Sequence, residues 1–129
     1  MKKAGLLLIC SLFFINANAS PALCGYKDFF HFSTDTTPAA YISYASYDHD
    51  IFLNVMSPRS FLIYDTPACT SGYADVYVNV DANSGCVLHI KDGPFMRHPD
   101  VKAGCTGNLQ FLDMTYDGIG THSYSLIFR

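Results

Sequence analysis

Between Cys69 and Lys91 the chain alternates in character residue by residue. Ala74, Val76, Val78 and Val80 fall on one side of the period, and Tyr73, Asp75, Tyr77 and Asn79 on the other. A period of two sends successive side chains to opposite faces, which is the pattern of a half-buried β-strand. Asp81-Ala82-Asn83-Ser84-Gly85 is turn chemistry, and Cys86-Val87-Leu88-His89-Ile90 returns as a second strand. A chain built around such a hairpin, with a cysteine on each side of the first strand, points to a small β domain held by disulfides.

The start of the chain explains why disulfides are expected. Lys2 and Lys3 precede a short apolar run, Leu6 to Ile15, and Ala17-Asn18-Ala19 supplies small residues before Ser20. That is the layout of a secretory signal over 1–19, leaving one exported domain over 20–129. The apolar run is shorter than the roughly 20 residues a permanent membrane helix needs. Cys10 lies inside it; a lipidated cysteine wants a small residue before it, and Ile9 stands there. The destination read from this segment is the periplasm or the cell exterior.

Four cysteines remain beyond the signal: Cys24, Cys69, Cys86 and Cys105. An even number in an exported chain reads as two disulfides, with three possible pairings. Placing Val80 opposite Cys86 leaves Cys69 far along the neighbouring strand, beyond the Cα separation of about 7 Å that a bridge tolerates. Two pairings remain, and Cys24–Cys69 with Cys86–Cys105 is the favoured one, with Cys24–Cys86 and Cys69–Cys105 left open.

Elsewhere the chain reads as more short strands. Lys27–Ser33 is dense in phenylalanine. Ala39–Tyr47 alternates, with Tyr41, Ser43, Ala45 and Tyr47 on one face and Ile42 and Tyr44 on the other. Ile51, Leu53 and Val55 face inward in the next strand, and Ser60–Tyr64, Leu109–Tyr116 and Thr121–Phe128 follow the same logic. The stretch Asp92–Asn108, with two prolines and three glycines, is expected to be a long irregular loop tied down by Cys105. All 11 acidic residues are Asp, which favours turns, and the chain carries 9 Tyr and 10 Phe. The prediction is an all-β fold: a small antiparallel β-sandwich or barrel of about eight short strands with two disulfides.

Charge narrows the function. The formal net charge of −3 becomes −5 without Lys2 and Lys3. Phosphate backbones and anionic lipid both require clustered Lys and Arg, so neither nucleic acid nor an anionic membrane surface is an expected partner. The final strands are also too short for a membrane barrel, whose strands run about 9–11 residues. Stable membrane insertion is therefore not expected.

Chemistry-bearing residues are scattered. Asp48-His49-Asp50 is the best local cluster for a metal or for acid–base work, and Met96-Arg97-His98 sets a thioether beside an imidazole. Both also suit solvated turns and loops, which is the simpler reading. Asp81-x-Asn83-x-Gly85 opens like a calcium loop but lacks the closing Glu, since the chain contains none. No Gly-x-Ser-x-Gly elbow is present. Nothing in the chain implies a cofactor, and enzyme activity has no motif to support it.

The tyrosines are more suggestive. Tyr73 and Tyr77, with Asp75 between them, occupy the polar side of the hairpin strand. Tyrosine offers apolar area and a hydroxyl at low entropic cost. Ser71-Gly72-Tyr73 ahead of a strand is similar to the Ser-Gly loop of small periplasmic lysozyme inhibitors, which implies protein inhibition as a class. No family resemblance spans enough of the chain to be named. The expected function is a small secreted binding module for a protein or glycan, inhibitor- or effector-like. Its contact residues are Tyr73, Asp75 and Tyr77 on the hairpin and Phe95, Arg97 and His98 on the long loop. The competing classes are a small extracytoplasmic hydrolase using Asp48, His49 and Asp50, and a periplasmic metal-binding protein.

Overall fold

Inward-facing side chains from two sheets meet in a single apolar core. The computed structural model describes residues 26–33, 39–48, 50–65, 70–116 and 122–129. These residues form nine strands: β1 Lys27–Phe32, β2 Tyr41–Tyr47, β3 Ile51–Ser57, β4 Ser60–Asp65, β5 Gly72–Asn79, β6 Gly85–Asp92, β7 Asp100–Thr106, β8 Phe111–Tyr116 and β9 Ser123–Phe128. One sheet has the order β3-β4-β1-β9-β8 and the other β2-β5-β6-β7. All neighbouring strands are antiparallel except β1 and β9, which run parallel and join the two ends of the domain. Among the described residues no helix is long and apolar enough to cross a membrane.

Alternation fills the core as the period requires. In β5, Ala74, Val76 and Val78 are buried while Tyr73, Asp75, Tyr77 and Asn79 point outward. Leu88 and Ile90 of β6 join them, and Val80 packs against the cluster from its margin. The first sheet contributes mainly aromatic rings. Phe30 stacks on Phe61 at 4.9 Å and on Tyr124 at 5.3 Å, and Phe128 meets Phe32 and Phe111 edge-on. Truncating one fully buried ring of this kind to Ala costs about 3–5 kcal/mol, because it removes transfer energy and leaves a cavity.

Several expectations need correction. The stretch Asp92–Asn108 is not one long loop, because β7 lies within it. Val101, Ala103 and Cys105 of β7 stand opposite Ile90, Leu88 and Cys86 of β6. The alternation of Val101, Ala103 and Cys105 with Lys102, Gly104 and Thr106 is short and set among prolines and glycines, and the strand is an edge of its sheet with little burial. The hairpin register also differs: Val78, not Val80, faces Cys86, and Asn79 faces Gly85. Val80 instead opens the turn, donating its N–H to Ser84 O at 2.9 Å, and Asp81 Oδ1 accepts from Asn83 N at 2.7 Å. The turn tightens because Asp81 can close it through its own side chain.

In β2 the expected alternation fails at a bulge between Ile42 and Tyr44. The extra residue moves Tyr44 to the outer face, opposite Tyr77, and turns Ala45 inward opposite Val76. In β3, Ile51 is buried and Leu53 packs on the core, but Val55 is exposed. β3 is an edge strand, and it runs past the cover of the other sheet.

Two glycines are required by close approach. Gly107 follows β7 with φ of 66°, and a Cβ there would stand 2.3 Å from Asn83 O. At Gly72 a Cβ would meet Ile51 Cγ2 at 2.6 Å, so the start of β5 passes close against β3.

Cys86 and Cys105 are bonded across the β6–β7 ladder, directly opposite one another, as the favoured pairing requires. Cys24 and Cys69 lie outside the described residues. The Cys86–Cys105 bridge closes a segment with a sequence separation of 19, for which the chain-entropy model gives about 3 kcal/mol. Replacing both cysteines by Ser is expected to lower the unfolding free energy by about that amount. Urea unfolding of the double variant checks it; an unchanged midpoint would show that β7 needs no anchor.

Candidate functional site

The inner face of the β2-β5-β6-β7 sheet is core, so its outer face is what this sheet can offer a ligand. The register arranges that face in rows. Tyr73, Lys91 and Asp100 stand side by side across β5, β6 and β7. The next outward row holds Ser46, Asp75, His89 and Lys102, and the one after it Tyr44, Tyr77, Val87 and Gly104. Tyr41 and Asn79 form the last row with Gly85 and Thr106.

The side chains of this face hold one another in place. Tyr44 and Tyr77 have ring centroids 5.4 Å apart at a tilt of 53°. Asn79 Nδ2 donates to Ser43 Oγ, and Ser43 Oγ donates to Tyr77 O at 3.2 Å, which fixes the bulge that turned Tyr44 outward. His89 Nδ1 lies 2.7 Å from Asp75 Oδ1. Lys91 Nζ sits 5.7 Å from the centre of the Tyr73 ring, a cation–π distance. Lys102 pairs loosely with Asp100 at 3.9 Å. Tyr44 is 61% exposed and Tyr73 57%, which is high for side chains of this size in a folded domain.

The expected contact residues therefore divide. Tyr73, Asp75 and Tyr77 share one outward face of β5. Phe95, Arg97 and His98 occupy the connection from β6 to β7 and are exposed, Phe95 at 87%. The His98 ring lies 6.5 Å from that of Tyr116 on β8 of the other sheet. Tyr44 was expected on the other face of its strand and joins the site only because of the bulge.

Asp48 and Asp50 take structural parts. Asp48 Oδ1 accepts from Asp50 N at 3.2 Å, Asp48 O accepts from Ile51 N, and Asp48 N donates to Tyr73 O at 2.8 Å. They close the β2–β3 turn, while His49 lies outside the described residues. No group of three or more His, Cys, Asp or Glu among the described residues is placed to hold a metal ion.

The outer face of the first sheet carries Ser125 Oγ and His31 Nε2 at 2.7 Å. A hydroxyl beside an imidazole is nucleophile chemistry in principle. Here Ser125 sits inside β9, which pairs on one side with β1 and on the other with β8. Its neighbouring N–H groups belong to the ladders and not to an oxyanion site. A shallow depression of about 260 Å³, lined by Tyr26, Lys27, Asn54, Leu62 and Tyr64, lies on the same sheet.

A second cluster has no counterpart in the sequence reading. Asp28, Asp65 and Asp92 are all buried at one end of the sandwich, with Tyr26 and Tyr124 beside them. Asp28 Oδ1 lies 2.8 Å from Nδ1 of His122, whose side chain is 57% exposed. Asp92 Oδ1 accepts from Gly93 N at 2.8 Å, and its Oδ2 is buried with no hydrogen bond of ordinary geometry to a described residue. Burial, reinforced by the Asp28 carboxyl as hydrogen-bond partner and like charge, pushes Asp92 up to about 9. Burial and the charges of Asp28 and Asp92 likewise push the Tyr124 hydroxyl up to about 12. At neutral pH these effects favour the protonated form of the Asp92 carboxyl.

No protein-family model, curated protein or solved structure matches this chain.

The acid cluster makes stability depend on pH. Asp92 has its folded pKa raised above the unfolded value, so the native state binds the extra proton between about pH 4 and about pH 9. Its contribution is complete below pH 4 and falls as pH rises through that window. Asp92→Asn keeps a neutral side chain of the same shape. The variant is expected to match the parent near pH 4 and to exceed it by about 1 kcal/mol or more at pH 8, or about 4 °C in Tm. Thermal melts of both proteins from pH 4 to 9 check this; parallel curves would show that Asp92 is ionised in the native state.

Proposed function

We propose that the protein is a small exported binding module that recognises a protein or glycan with the outer face of the β2-β5-β6-β7 sheet. The observation that carries this reading is the cluster Tyr44, Tyr73 and Tyr77. These rings stand outward on a four-stranded sheet whose other face is already filled by core. Large exposed rings grouped on one face, rather than scattered singly, mark an interaction site. Here the bulge in β2 and the Asn79–Ser43–Tyr77 bonds hold Tyr44 out. Rings fixed in this way lose little freedom on binding, which lowers the cost of association.

Export is part of the same reading. The layout of 1–19 supports a cleaved secretory signal, and the Cys86–Cys105 bridge supports an oxidising compartment, periplasmic or extracellular. The hydrolase alternative would use Asp48, His49 and Asp50, of which Asp48 accepts from Asp50 N within the β2–β3 turn.

The test uses immobilised protein spanning 20–129, presented with cell-envelope and culture-medium fractions that retain both proteins and polysaccharides. The double variant Tyr44→Ser/Tyr73→Ser should keep its near-UV circular dichroism and lose at least tenfold of whatever the parent retains. Equal retention by a folded variant would place recognition elsewhere.

A further inference from the structure

Three properties of the recognition face narrow its ligand, and the argument rests on the binding reading just given. Charge is the first. Among the register rows the cations are Lys91 and Lys102 and the acids Asp75 and Asp100. Lys102 faces Asp100, His89 is bonded to Asp75, and Lys91 lies over the Tyr73 ring. Each cation already has a partner on the protein, and the lysine and aspartate charges balance. An anionic polymer would have to displace these contacts to gain any of its own.

Side-chain chemistry is the second. Every aromatic ring in these rows is a phenol, and Val87 is the one branched aliphatic side chain among them. Interfaces between proteins concentrate Tyr together with Phe, Trp, Met and Arg at a dry centre, and of these only Tyr is present in these rows. This face instead sets phenol rings among carboxylate, imidazole, amide and hydroxyl groups. Ring faces suit the C–H faces of pyranose sugars, and the polar groups suit sugar hydroxyls.

Shape is the third. Above Gly104 there is open space, with no atom within 4 Å of where a Cβ would stand, and Gly85 adds no side chain to the last row. A small ligand is normally held in an enclosed pocket. A flat face with rings spread along it suits a long ligand. Tyr73 and Tyr77 are four residues apart on one strand, about 13 Å. Tyr41 lies opposite Asn79, two residues further, so the aromatic stripe runs about 20 Å along β5 and β2.

We propose that the ligand is a neutral polysaccharide whose chain lies along this stripe, with sugar rings stacked on Tyr73, Tyr77 and Tyr44 and hydroxyls bonded to Asp75, His89 and Asn79. The chain is bound along its length and not by a terminal sugar.

Affinity electrophoresis in native gels tests this directly. The gels contain β-glucan, mannan, xylan, galactan or α-glucan as neutral polymers, and alginate or polygalacturonate as anionic ones. At least one neutral polymer should retard the protein. Tyr73→Ala and Tyr44→Ala should each weaken that retardation at least tenfold. Leu112→Ser, on the other sheet, should leave it unchanged. Oligosaccharides cut from the retained polymer should gain affinity with each added unit until the chain spans Tyr73 to Tyr41, as read by calorimetry. Retardation by anionic polymers alone, retardation that survives both tyrosine variants, or affinity already complete with a monosaccharide would each overturn the proposal. Capture of a protein partner that the tyrosine variants lose, with no polysaccharide retained, overturns the ligand class and leaves the recognition face standing. Retention of every ligand by folded tyrosine variants removes both.

Discussion

A sandwich of two sheets closes one core, and every strand in it has a second face that this core cannot cover. The constraint comes from the period of two. In β5 the inward residues Ala74, Val76 and Val78 are fully withdrawn, so Tyr73, Asp75 and Tyr77 must be outside. The same applies to Leu88 and Ile90 against His89 and Lys91 in β6. The outer face is thus placed as accurately as the core itself. Any shift of register by one residue would exchange the two sets and expose the valines. The Cys86–Cys105 bond opposes such a shift between β6 and β7, because it joins residues that the ladder already pairs.

The opposite problem arises at the end of the sandwich that holds Asp28, Asp65 and Asp92. Three carboxyls withdrawn from water cost free energy unless they are paired, bonded or neutral. Asp28 is bonded to His122, and burial pushes Asp92 toward its neutral form. Asp65 ends β4, where its backbone N–H donates to Tyr26 O. Two carboxylates sharing this site would repel without solvent to screen them, and the Asp28 carboxyl is one cause of the upward push on Asp92.

Most of the fold was legible in the sequence because alternation reports which face is buried. The hairpin strands, the Phe-rich β1 and the edge between core and solvent in β5 follow from residue identity alone. What failed had two causes. The bulge in β2 depends on Asn79 and Ser43, which come from two strands 36 residues apart. β7 does alternate, through Val101, Ala103 and Cys105, but the prolines and glycines around it outweigh that short signal. The acid cluster did leave a signal. Asp28 is in phase with Phe30 and Phe32, Asp65 with Phe61 and Ile63, and Asp92 with Leu88 and Ile90. An aspartate that continues the buried phase of a strand is an inward carboxyl, not a turn residue. Reading Asp by its turn propensity alone concealed that.

The two unusual regions are adjacent. Gly72 and Asp92 form the last pair of the β5–β6 ladder, and the pair before it is Tyr73 with Lys91. Asp92 points into the core at this position, and Tyr73 and Lys91 point out. The first row of the recognition face is therefore set on the same backbone that carries the buried acid. A Cβ at Gly72 would stand 2.6 Å from Ile51 Cγ2 and one at Gly93 2.4 Å from Ser71 Oγ, so the backbone at the acid end packs too closely for side chains at either position. Burial and the Asp28 carboxyl push Asp92 upward, so the acid end favours a proton one residue along β6 from Lys91, which stands in the first outward row beside Tyr73.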